Sequence, residues 1–160
     1  MGKNRIPATP ALHALKRAGA AFTAHPYDYV EHGGTAAAAA QLGVEEHQVV
    51  KTLVMAGPGG QPFLVLMHGD RQVSTKALAR QLGLKAAAPC PERDAQRHTG
   101  CQVGGISPFG LRKPLPVYVE KSVLEMPRLF INGGKRGLLV QITPEVLRQV
   151  LDPTPVEAAL

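Results

Sequence analysis

The spacing of apolar positions changes several times along the chain, and each change marks an element. Leu12 and Leu15 follow Thr9-Pro10, which predicts a helix to Ala18 with threonine as N-cap, proline at the first helical position and Gly19 as the stop. Residues 21–27 alternate loosely around Phe22 and predict a short strand ending near Pro26. Val30 to Gly34 is a loop, and the alanine run Thr35 to Leu42 predicts a helix stopped by Gly43. Glu45 to Gln48 makes a turn or short helix. Val49 to Met55 and Pro62 to His68 are apolar runs joined by Gly57–Gly60, a hairpin signature. Ser74 or Thr75 caps a helix to Leu82, with Leu78 and Leu82 toward the core and Lys76 and Arg80 on a basic face.

The second half continues the alternation. Leu84 to Ala88 reads as a short strand and Pro91 to Arg97 as a polar helix. Strands follow at 115–120, 128–132 and 137–142, with a short helix at 122–126; the last two strands form a second hairpin about Gly133-Gly134. Thr143-Pro144 starts a final helix by the same cap rule as Thr9-Pro10. The expected organisation is a lead-in over 1–9, one domain over 10–151 and a tail over 152–160. Hairpins interleaved with helices predict a single α/β domain with a mixed, largely antiparallel sheet rather than a doubly wound one.

Composition narrows the function. A chain of 160 residues suits one domain, and 4% aromatic residues with no Trp leave Leu, Val, Ile and Ala to build the core. So few aromatics also argue against a platform of stacked bases. A net charge of +6 favours a polyanionic partner over an ordinary basic enzyme. Cys90 and Cys101 form no CxxC and no zinc spacing, which suits a reducing compartment. With no signal peptide and no apolar run long enough for a membrane, a soluble cytoplasmic protein is expected. The six histidines show no metal-ligand spacing, and neither a Walker loop, GxGxxG, HExxH nor GxSxG is present. No metal or cofactor is therefore expected. Cys101 and His98, three residues apart beside the glycine loop, are a candidate nucleophilic pair.

The strongest chemical signal is the run Gly100 to Gly110, in which four of eleven residues are glycine and Pro108 stiffens the end. Such a loop aims main-chain groups at a ligand. Cations crowd it at Arg93, Arg97, Arg112 and Lys113, and a second glycine pair carries Lys135 and Arg136. Backbone amides beside cations suit an anion or an acyl oxygen. Lys51 interrupts an apolar strand and is either a solvated edge lysine or a pocket lysine that awaits a ligand. His25 reads as a packed histidine, and Tyr27 as core or pocket wall.

The string Thr99 to Gly110, the run Val50-Lys51-Thr52-Leu53 and the run Asn132 to Leu138, in that order and spacing, resemble the signature of the YbaK/ProX superfamily of aminoacyl-tRNA deacylases. The resemblance spans about Pro10 to Leu151 and is strongest to the YbaK branch, which clears Cys-tRNA(Pro). It implies a mixed α/β domain with a bent, barrel-like sheet, and hydrolysis of the ester that joins a wrong amino acid to tRNA. Such editing is needed where a binding pocket cannot reject a near-isostere. It implies that Lys51 is the essential pocket lysine. Tyr27, Thr52, Gly104, Gly105, Ile106, Ser107 and Pro108 would shape the aminoacyl site. Lys76, Arg80, Arg112, Lys113, Lys135 and Arg136 are the candidate tRNA contacts. The implied partners are tRNA(Pro) and a prolyl-tRNA synthetase, with no DNA and no membrane. In the YbaK branch the substrate's own thiol attacks and leaves a thiolactone; elsewhere water or a ribose hydroxyl does so. Three positions depart from the pattern. Cys101 stands where Tyr is usual, Leu139 where cysteine-specific members carry Asp, and Val30–Ala36 lacks their Phe. A pocket for alanyl or seryl esters, or a non-catalytic tRNA- or synthetase-binding module, therefore stands beside the cysteinyl reading.

Overall fold

The first helix begins where the Thr-Pro signal places it. In the computed structural model, which describes residues 6–160, the Thr9 hydroxyl accepts from the Leu12 amide at 3.1 Å and α1 spans Pro10–Arg17. The same hydroxyl donates to the Gly133 carbonyl at 2.6 Å, so the cap also ties α1 to the second glycine turn. Residues 1–5 of the expected lead-in lie outside the described residues.

The chain then runs through β1 (Thr23–Pro26), α2 (Gly34–Leu42), a 3₁₀ turn (Glu46–Gln48), β2 (Val49–Ala56) and β3 (Pro62–His68). After these come α3 (Thr75–Leu82), β4 (Ala88–Pro89), α4 (Glu92–Thr99), β5 (Val117–Glu120) and a second 3₁₀ turn (Lys121–Glu125). It ends with β6 (Leu129–Asn132), β7 (Leu138–Ile142), α5 (Pro144–Leu151) and β8 (Thr154–Val156). Gly43 and Gly83 close α2 and α3 in the left-handed conformation, and the Ser74 hydroxyl caps α3.

All eight strands join one mixed sheet, in the order β1-β7-β6-β2-β3-β5-β8 with β4 on β2. The hairpins β2–β3 and β6–β7 are antiparallel, as short turns require, and β1 joins β7 the same way. Pairings between segments far apart in sequence are parallel: β6 on β2, β5 on β3 and β8 on β5. β2 and β3 therefore sit at the centre of the sheet. Leu64, Val65, Leu66 and Met67 of β3 have no exposed surface at all, the continuous apolar pattern of a strand covered on both faces.

Three expectations are corrected. The strand expected over Leu84–Ala88 shrinks to Ala88–Pro89, because Leu84 and Ala87 pack on the core beneath α3 instead of pairing. The stretch from Pro153, expected as a tail, carries β8. Its Val156 and Ala158 are buried, and the Ala158 amide donates to Glu120 Oε1 at 2.7 Å. Pairing with β5 and this apolar burial hold the stretch to the domain. Finally, α5 starts after Thr143, but that hydroxyl accepts no capping bond. Among the described residues no helix is long and apolar enough to cross a membrane.

A histidine sits deep in this core. His68, at the end of β3, is 1% exposed. Its Nδ1 lies 2.8 Å from the His47 carbonyl and its Nε2 lies 2.7 Å from Ser122 Oγ. A carbonyl only accepts, so Nδ1 carries the proton and the serine hydroxyl donates to Nε2. The His47 ring stacks on His68 at 3.7 Å between centroids and also bonds Asp70 Oδ1 at 2.9 Å. Together these contacts pin the 3₁₀ turn Glu46–Gln48 to β3.

Burial pushes the His68 pKa below that of an ordinary histidine. The unfolded chain therefore takes up that proton more readily than the fold does. This contribution to stability is intact above the unfolded value of about 6.5 and is lost progressively as pH falls below it. Urea midpoints should drop between about pH 7.5 and pH 5.5, and the drop should be smaller in His68→Gln.

Candidate active site

A cavity of about 550 Å³ opens between the first turn of α2, the middle of β2 and the two glycine loops. Tyr27, Lys51, Thr52, Gly104, Ile106 and Arg136, all marked by the sequence, line it. An adjoining hollow of about 430 Å³ shares Lys51, Thr52, Leu53, Glu92, Val103 and Ile106 and continues toward Met55 and Cys90. β2 thus borders both spaces, with Lys51 and Thr52 at their junction.

Lys51 is half-buried, and among the described residues its one hydrogen bond is a long one, 3.4 Å from Nζ to the Gly69 carbonyl. Among the described residues no carboxylate comes within ion-pair distance of it. Burial lowers its pKa, and this outweighs the attraction of Glu46 and Asp70, which acts the other way. The group is a cation with unspent donors facing a cavity. Thr52 adds a second unspent group: its Oγ1 is buried and has no hydrogen-bond partner among the described residues, which is uncommon for a buried hydroxyl. Burial raises the pKa of Tyr27 and keeps it a neutral phenol at the wall.

The glycine loops are joined to each other. Asn132 Nδ2 donates to the Gly104 carbonyl at 3.1 Å, while its Oδ1 accepts from the Gly134 and Lys135 amides at 2.7 and 3.1 Å. Arg136 Nε donates to the Val103 carbonyl at 2.9 Å and its guanidinium lies 4.9 Å from the centre of the Tyr29 ring. Gly104 has φ +95°, a conformation that a side chain rarely adopts. A Cβ on Gly105 would sit 2.6 Å from the Arg136 amide nitrogen, so the two loops touch backbone to backbone there. The amides of Gly104 and Ile106 find no acceptor among the described residues.

Not every expected residue reaches the cavity. Gly105, Ser107 and Pro108 are buried behind its wall. Ser107, with no exposed surface, uses Oγ to accept from the Phe109 amide at 3.2 Å and so shapes the loop. Arg136 belongs to the cavity wall instead of the open surface. Lys76, Arg80, Arg112, Lys113 and Lys135 are exposed and make no ion pair among the described residues. Cys101 Sγ lies 3.7 Å from the Thr99 carbonyl, and neither it nor His98 borders the cavity. His25 is tied to Thr23 and set edge-on to Phe130, the packed role expected of it. Thr35, Glu46 and Tyr29, which belong to no motif, also line the cavity. The Asn132-Gly-Gly order was a usable signal for the loop clasp.

The aminoacyl-tRNA editing domain family matches residues 31–150. The chain belongs to that family. It is 29% identical over 117 residues to a candidate Cys-tRNA(Pro)/Cys-tRNA(Cys) deacylase, EbsC, of Enterococcus faecalis, across 73% of this chain and 71% of that one. It is 33% identical over 98 residues to the proline–tRNA ligase of Delftia acidovorans, across 55% of this chain but 17% of the ligase. In three dimensions it superposes with a TM-score of 0.85 on a candidate trans-editing enzyme for prolyl-tRNA synthetase, at 24% identity over 97% of this chain and 99% of that one. The editing domain thus has the mixed α/β fold expected of it. Its matched stretch contains Lys51, Thr52 and both glycine loops but not Tyr27.

The contact between loops gives the editing domain one sharp dependence. Gly105→Ala should part the loops and lower stability by about 1–3 kcal/mol, read as a fall in the urea midpoint. A midpoint equal to that of the parent would show that the loops can separate freely.

Proposed function

We propose that this editing domain is a trans-editing deacylase that hydrolyses the ester of a mischarged tRNA, with Cys-tRNA(Pro) as its substrate. The observation that carries the reading is Lys51, a half-buried ammonium without a carboxylate in contact, beside unspent amides and the unpartnered Thr52 hydroxyl. An ester carbonyl gains negative charge at the tetrahedral step, and donors fixed in advance stabilise it without reorganising. Lys51 then serves as the catalytic cation. The amides of Gly104 and Ile106 and the Thr52 hydroxyl complete the donor set, and Tyr27 walls the site.

No protein nucleophile is needed. With a cysteinyl ester the substrate thiol attacks its own carbonyl. The new C–S bond replaces the C–O ester bond, and the thiol proton passes to the departing ribose oxygen, giving free tRNA and a thiolactone that water then opens to cysteine. With another small amino acid, water adds in place of the thiol and the products are the amino acid and tRNA. The exposed Lys76, Arg80, Arg112, Lys113 and Lys135 would meet phosphates, and the matching segment in proline–tRNA ligases supports tRNA(Pro) and a prolyl-tRNA synthetase as partners. The chemistry proposed calls on no metal or cofactor, and its tRNA substrate belongs to the cytoplasm.

Leu139 favours a second reading. It is 4% exposed on the cavity wall and packs in one apolar cluster with Ala38, a lining that suits an alanyl ester as well as a cysteinyl one.

Two variants test the site. Lys51→Ala should slow deacylation by about a hundredfold or more while tRNA affinity changes little; an unchanged rate would remove Lys51 from the chemistry, and an inactive parent that still binds tRNA would make the chain a binding module. Thr52→Val should cost no stability, since it removes a hydroxyl that has no partner, yet slow deacylation roughly three- to tenfold. Urea unfolding beside single-turnover rates separates the two effects.

A further inference from the structure

Three carboxylates border the large cavity, and one of them is held in place. Glu31 is 81% exposed at its side chain, and Glu92 stands exposed at the start of α4. Glu46 is half-buried, and its Oε2 accepts from the Thr35 hydroxyl at 2.7 Å. Its Oε1 has no partner among the described residues. Thr35 belongs to the first turn of α2, and Glu46 opens the 3₁₀ turn that leads directly into β2. The carboxylate is therefore fixed from two sides. The turn beneath it is anchored in turn by the buried His68, which donates to the His47 carbonyl and stacks on the His47 ring.

Glu46 and Lys51 are opposite charges on one cavity wall that do not touch. The charge of Glu46 acts on Lys51, yet the two make no ion pair. A ligand with a complementary pair of groups fits between them. An aminoacyl ester is such a ligand: its carbonyl gains negative charge, and the adjacent carbon bears an ammonium group. We propose that Glu46 receives the α-ammonium group of the aminoacyl ester and thereby turns the carbonyl toward Lys51 and the loop amides. This rests on the deacylase reading above and adds a selection to it. Substrates with a free amine are accepted, while N-blocked aminoacyl esters and peptidyl esters are refused, because they leave Glu46 facing a neutral amide. Glu46 is a specificity-determining residue, and Thr35 positions it.

The test compares four substrates, cysteinyl- and alanyl-tRNA(Pro), each with a free or an N-acetylated amine, in single-turnover deacylation by the parent and by Glu46→Gln. The parent should prefer the free amine by roughly ten- to a hundredfold, the range expected for a hydrogen-bonded charge pair. Glu46→Gln should lose most of that preference by slowing on the free-amine esters alone, and Thr35→Val should fall between the two. A parent that hydrolyses free and acetylated esters equally would overturn the assignment without touching the deacylase reading. So would a Glu46→Gln variant that slows equally on both, since that is what an effect transmitted through Lys51 or through the fold would give. A parent inactive on all four would overturn the deacylase reading, and the role of Glu46 with it.

Discussion

A lysine ammonium drawn partly out of water, with no carboxylate in contact, is the constraint that the rest of the structure serves. Burial of Lys51 works against its charge and outweighs the attraction of Glu46 and Asp70. Such a group keeps its place only if its strand cannot move. β2 meets this condition by pairing with β3 on one side and β6 on the other. Had a carboxylate closed on Nζ, the charge would be spent within the protein. Because none does, the charge remains available to a ligand.

The loops around Lys51 are rigid for a different reason. Glycine-rich chain is normally mobile, but here Asn132 and Arg136 bind one loop to the other, and Thr9 ties the second loop to α1. Loop amides are thereby held without regular secondary structure. Pre-set donors are what an editing site needs, since stabilisation of a developing oxyanion depends on groups that need not reorganise. The contacts of buried His68 with His47 and Ser122 do corresponding work, holding the turn that brings Glu46 to the cavity.

Local rules made much of this legible before any coordinates. Thr9-Pro10, Ser74, Gly43 and Gly83 act within one helical turn, so their sequence signals are complete in themselves. The parallel pairings of β6, β5 and β8 join segments far apart in sequence, and no local pattern encodes them. The same limit applies to the tail. Residues 152–160 read as a tail because nothing local marks a strand there, and β8 forms through its pairing with β5 and the burial of Val156 and Ala158. At the site, Lys51 stood out because a charge in an apolar strand is unusual. Glu46 and Thr35 did not, because a glutamate in a turn and a threonine before an alanine run are ordinary until the fold brings them together. Ser107 and Pro108 carried a motif signal whose physical content is the shape of the loop, not contact with the cavity.

The most direct test of the central claim is the rate at which the parent protein strips Cys-tRNA(Pro), Ala-tRNA(Pro), Ser-tRNA and the cognate Pro-tRNA(Pro), measured side by side. An underliganded lysine in a cavity walled in part by Leu139 and Ala38 predicts loss of the cysteinyl or alanyl ester while the prolyl ester survives. Survival of all four esters while the tRNA remains bound would contradict the claim, as would loss of the prolyl ester at the same rate as the others.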